Sequence, residues 1–261
     1  MDLERITHPL RVARGSHHPG SGKGCAMNVI SYINGDLQFT DFPVGSARPL
    51  SLLVQSSNDL LAGADGYLSP ENSVLALHLA WLTVGTADVP ETVVHAWVAE
   101  LLTNPTWGVL QYAKITAHKA IRDIAGLHRA AAAGDMPPVS DWDAAARAAL
   151  DVAAPLLGAG KRSAQAAFES TRCVDNDLLA SLDRVIAHAE NAHAWASGTA
   201  GTASRITQFT GHAIRAWRDL AGLNNTGPAA SDREPQLRPA ASPEPAVAAE
   251  SRAWARAPRG T

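Results

Sequence analysis

From about residue 46 to residue 223 the chain repeats one pattern: apolar positions three or four apart, punctuated by Pro, Gly, Asn and Asp. That spacing lines apolar side chains along one face of an α-helix. Leu50, Leu53, Val54, Leu60 and Leu61 predict a helix over 49–62, which Gly63 stops. Ser69-Pro70-Glu71 predicts the next start, because Ser caps backbone amides, Pro is tolerated at the first helical position and Glu suits the positive end. This helix runs through Leu75, Leu79 and Leu82 to Gly85. Asp88-Val89-Pro90-Glu91 opens another, with Val94, Trp97, Val98 and Leu101 on one face and Asn104-Pro105 as its stop. A long helix is expected over 107–133, with Leu110, Ile115, Ile121, Ile124 and Leu127 inward, before a linker at 134–140. Ser140, with Asp143 three residues on, reads as close to a capping box that opens an Ala-faced helix over 140–157. Residues 161–173 follow as an Ala-rich helix. Leu178, Leu182, Val185, Ile186 and Ala189 stripe an amphipathic helix over 176–196, and Ile206, Phe209, Ile214, Trp217 and Leu220 stripe a last one over 202–223.

The first 45 residues break this pattern. They carry the Gly-rich run GSHHPGSGKGC; after it, 25–33 reads as a helix opening at Cys25 in preference to a strand, and 37–42 alternates as a short strand. Beyond Asn224, Pro, Ala, Ser, Glu and Arg dominate without periodicity, which predicts a disordered tail over 226–261. The expected architecture is mostly α: a small irregular Gly/His/Cys segment (1–45), an antiparallel helical array (46–225) and that tail.

Composition refines the picture. Of 261 residues 46% are apolar but only 5% aromatic, so the core consists of small side chains and closely approaching helices. A net charge of −3 excludes a strongly basic nucleic-acid coat protein. Cys25 and Cys173 lie far apart, which argues against a disulfide scaffold and for a reducing compartment. The N-terminal residues mix charges without the apolar core of a signal peptide, and the greasiest run, 74–84, is interrupted by His78. A cytoplasmic chain with no membrane segment is expected.

Gly15-Ser16-His17, Cys25-Ala26-Met27, Ile33-Asn34-Gly35-Asp36, Thr40-Asp41-Phe42-Pro43, Asn58-Asp59 and Leu182-Asp183-Arg184-Val185-Ile186 together resemble a family of uncharacterised actinobacteriophage proteins, also present in some actinobacterial genomes. The resemblance spans about residues 12 to 190 and implies a phage or prophage origin and a bacterial cytoplasm. This chain departs from the family pattern at three positions, with Asn28 for Glu, Phe42 for His and Gly45 for a second Cys. In a typical member two His and two Cys could hold zinc. Here only His17 or His18 and Cys25 remain, so no metal is expected.

Other chemistry can be weighed residue by residue. A Cys that opens a helix after a Gly-rich loop is a candidate nucleophile, with Cys25 activated by the helix dipole and His17 or His18 as base. Against that, a free Cys usually packs as a small apolar residue. The run SGKGC is not a nucleotide-hydrolysing loop, since Gly24 replaces the required hydroxyl and no apolar strand precedes it. Lys23, Arg11, Arg14 and His18 could still bind an anion there. His188 and His193 are five apart, a spacing that does not suit paired helical metal ligands, and read as solvated. Trp81, Trp97, Trp107, Trp142, Trp195 and Trp217 read as core or interface anchors between the helices. Arg205, His212, Arg215 and Arg218 on the last helix are the best candidate nucleic-acid contact.

With no complete catalytic set and no cofactor fingerprint, the expected function is a non-enzymatic, phage-type accessory protein that binds a host or phage macromolecule. The partner is foremost a protein, with nucleic acid or a second copy as alternatives. A Cys25-dependent enzyme using His17 or His18 is the rival, and nucleic-acid binding by the last helix a third reading.

Overall fold

The computed structural model describes residues 11–18, 21–36, 39–174 and 178–224. The predicted tail, 226–261, lies outside them. The fold is mostly α, as the periodicity implies.

Two short strands, β1 (Arg11–Val12) and β2 (Lys23–Gly24), pair in parallel and lead into α1 (Ala26–Asn34). Gly35, at φ 79°, closes α1 by donating to the carbonyls of its last turn. The strand expected over 37–42 does not form at Phe39–Phe42, which is irregular; Leu37 and Gln38 fall outside the described residues. Helices α2 (Arg48–Leu61), α3 (Pro70–Leu82) and α4 (Glu91–Thr103) begin and end close to the predicted signals. Ser69 caps α3 by accepting the Asn72 amide, and the Asn72 side chain donates to the Leu61 carbonyl, so the start of α3 also ends α2.

The expected helix over 107–133 is interrupted. A 3-10 turn at Val109–Tyr112 is followed by extended backbone at Ala113 and Lys114, and α5 spans only Ile115–Ala132. No local breaker causes this. His193 holds both ends of the segment, through the Trp107 carbonyl at 2.9 Å and the Tyr112 hydroxyl at 3.1 Å. Because Ala117, Ile121, Ile124 and His128 set the buried stripe of α5, Ile115 falls on the opposite face and is 78% exposed rather than inward.

Helix α6 (Val139–Ala153) starts one residue before the expected cap, with Pro138 at the N-cap and Ser140 inside the first turn. Pro137-Pro138 is already extended, so the chain turns helical as soon as the prolines end. Pro155, with no N–H, follows its end. Helix α7 (Gly158–Ser170) runs into a second 3-10 turn, Thr171–Val174. Helix α8 (Leu178–Leu220) breaks into two arms at Gly198, whose φ of 63° and ψ of 176° are open only to glycine.

Consecutive helices from α4 to α8 pack on one another, and α8 also lies along α2 and α4. Trp97 and Trp217 meet edge-on at 5.3 Å in the core. Their indoles are satisfied: Trp97 donates to the Ala213 carbonyl and Trp217 to the Thr86 carbonyl. Among the described residues no helix is long and apolar enough to cross a membrane.

Candidate functional site

Four of the strings that carry the resemblance, at Gly15-Ser16, Cys25-Ala26, Asp41 and Asn58-Asp59, lie apart in the chain and converge in space. The β1–β2 pair turns the loop after Val12 over the first turn of α1, while Asp41 and the second half of α2 close in from the other side. Cys25 is the N-cap of α1. Its Sγ accepts the Asn28 amide at 3.4 Å, and its own amide donates to Asn28 Oδ1 at 3.1 Å, a reciprocal capping box. Asn28 therefore does here what a capping Glu does elsewhere.

Asp41 is the hub. Asn28 Nδ2 donates to its Oδ1 at 2.7 Å, the Cys25 thiol donates to the same oxygen at 3.4 Å, and the Ser16 hydroxyl donates to Oδ2. Gln55 of α2 donates to the Asp41 carbonyl at 2.9 Å. Asn58 completes the knot: its Oδ1 accepts the Ala26 amide, and its Nδ2 donates to the Ala13 carbonyl and to Asp59 Oδ1. Asp59 Oδ1 also accepts the Gly15 amide at 2.9 Å.

This arrangement sets the chemistry of the thiol. Cys25 is 2% exposed. Burial, then the neighbouring Asp41 charge, push its pKa up to about 12, against the opposing pull of the Asn28 amide. A thiol that donates to a carboxylate and is starved of solvent stays S–H at neutral pH, and the thiolate is the nucleophile. His17 is half-buried with its Nε2 enclosed and unpartnered, and His18 is exposed. The Cys25 thiol bonds to Asn28 and Asp41 rather than to either imidazole.

Phe42 and Gly45, which the resemblance would place at ligand positions, are used otherwise. The Phe42 ring lies under the Arg48 guanidinium at 4.2 Å, and the Gly45 carbonyl accepts the Gly85 and Thr86 amides. Among the described residues no group of three or more His, Cys, Asp or Glu side chains could hold a metal ion.

The candidate binding residues divide into two sets. Register pairs Arg11 with Lys23, and both cations sit over the Tyr67 ring, at 3.7 and 5.8 Å, with exposed Arg14 beside them in sequence. The last-helix residues do not act as one stripe. Arg205 reaches the Tyr112 hydroxyl, Arg215 meets His212, and Arg218 donates to Asn224 and to the Leu82 carbonyl at the end of α3. Arg218 thus serves as a helix cap.

Three polar groupings escape the sequence reading. His193, expected in solvent, is 2% exposed; burial and then the nearby Arg205 and His212 charges lower its pKa to about 4 against the Trp107 carbonyl bond. Its place four residues after Ala189, on the buried stripe, was a usable signal. The Glu190 carboxyl is enclosed against the Ser56 hydroxyl at 2.9 Å, and burial raises its pKa to about 8. His95 and His128 share a buried Nδ1–Nδ1 hydrogen bond of 2.9 Å beside Trp142, and burial lowers His128 to about 3. No local pattern announces that pair, which forms across α4 and α5.

No protein-family model, curated protein or solved structure matches this chain.

Proposed function

We propose that this is a non-enzymatic binding protein of phage type that docks on a host or phage protein through the outer face of α3. The observation that carries the reading is that α3 is apolar on two faces and packs only one. Ala76, Leu79 and Ala80 face the core. Val74, Leu75 and Trp81 face outward and are 70%, 38% and 44% exposed. A helix apolar all round belongs in an interior, and an exposed aromatic flanked by aliphatic side chains is the usual anchor of a protein interface. The Cys-dependent reading draws no support from the knot, where Cys25 caps a helix and its thiol is spent on Asp41.

The test is a photo-crosslinking residue at His78, between Val74 and Trp81, with the same residue at Lys119 on α5 as control, in cells expressing the full chain. The reading predicts an adduct with another protein from position 78 that Trp81→Glu abolishes. An adduct of the chain with itself would make the face a homo-oligomer contact, and equal labelling from both positions would overturn the proposal.

A further inference from the structure

A cleft of about 780 Å³ opens where the start of α5 and the α6–α7 connection meet the middle of α8. Lys114, Lys161 and Arg162 line it together with Leu157, Gly158 and Trp195. No carboxylate is among its lining residues, and the ion pairs among the described residues do not include either lysine. Arg162 spends one nitrogen on Gln165. Trp195 is 64% exposed and Leu157 82%. Gly158 lies so close to the indole that a Cβ there would be 3.6 Å from its ring. The first turns of α5 and α7 carry neither a side-chain cap nor an acidic residue, so their amides add to the positive field around the cleft.

We propose that this cleft binds single-stranded nucleic acid, with a base stacked on Trp195 and the flanking phosphates on Lys114 and Lys161. An open aromatic face beside Lys114 and Lys161, which form no ion pair among the described residues, matches a base and its backbone. The cleft lacks the Asn, Gln, Asp, Glu, Ser or Thr side chains that would read a base edge. Stacking on an indole tolerates any base, and an unstacked single strand can reach the indole where a duplex cannot. This site is distinct from the last-helix arginines, with its cations before α5 and on α7, and it stands independently of the α3 face.

The experiment is fluorescence anisotropy of a labelled oligothymidylate titrated with the full chain over a range of salt concentrations. Saturable binding is expected, weakened roughly five- to hundredfold by Trp195→Ala, the worth of one stacked base, and largely restored by Trp195→Phe. Lys114→Ala and Lys161→Ala should each reduce the salt slope by about 0.7. Several results would overturn the proposal: no binding at low salt, binding indifferent to Trp195→Ala, preference for duplex, or binding to anionic lipid vesicles that oligothymidylate does not displace.

Discussion

Replacing Glu190 by Gln should stabilise the protein at neutral pH and leave it unchanged in acid. The Glu190 carboxyl is wedged between α8 and α2, with Oε2 accepting the Ser56 hydroxyl and Oε1 enclosed without a partner. Burial raises its pKa from 4.5 to about 8. Between those values the folded chain keeps a proton that the unfolded chain has released, so stability falls as pH rises, by about 1.4 kcal/mol per pH unit. At pH 7.5 the accumulated cost is about 4 kcal/mol, and Gln, similar in size and always neutral, avoids it. His193 and His128 act with the opposite sign. Burial lowers them from 6.5 to about 4 and about 3, so their share of stability is lost as pH falls below 6.5. The two trends place the optimum of the parent protein near pH 6.5. Urea unfolding across pH 4 to 9 measures both limbs. The stability gained by Glu190→Gln should be zero near pH 4.5, grow to about pH 8 and then level off. A gain that does not change with pH, or a variant less stable at pH 7.5, would refute the reasoning.

Asp41→Ala should cost about 1–3 kcal/mol, because it strands the Asn28 amide group, the Cys25 thiol and the Ser16 hydroxyl; the thermal midpoint reads this, and an unchanged midpoint would show that the knot is not a structural lock. Gly198→Ala should also cost about 1–3 kcal/mol by forcing a side chain into a glycine-only conformation, visible as a drop of several degrees in Tm, whereas an equal or higher Tm would mean that α8 tolerates straightening at its break.

The parts of this fold legible in the sequence are those decided locally. Ser69-Pro70-Glu71 and Asn104-Pro105 mark helix ends through their own backbone restrictions, and the Leu182–Ile186–Ala189 stripe exposes the buried face of α8. The interruption at Ala113 and Lys114 carries no Pro or Gly of its own, and the 3-10 turn before it is held from α8 by His193, across the helix packing. The candidate site was half legible. Ser16, Cys25, Asp41 and Asn58 stand out as motif residues, but their meeting at one carboxylate depends on how the loop, α1 and α2 fold together. The surroundings of the basic residues were not legible for a related reason. Linear spacing groups Arg205, Arg215 and Arg218, while each is taken by a different neighbour that only the packed structure supplies. Lys114, just before α5, and Lys161 of α7 line one cleft, which linear spacing does not show.

The central claim is that the residues most suggestive of catalysis form a structural lock. Iodoacetamide labelling of Cys25 in the folded protein, in a Cys173→Ala background and followed from pH 6 to pH 9, tests it directly. A thiol buried beside Asp41, with its pKa near 12, should resist labelling throughout and react only when urea unfolds the chain. Rapid labelling of the native protein near pH 6 would contradict the account and put an activated thiolate at the head of α1.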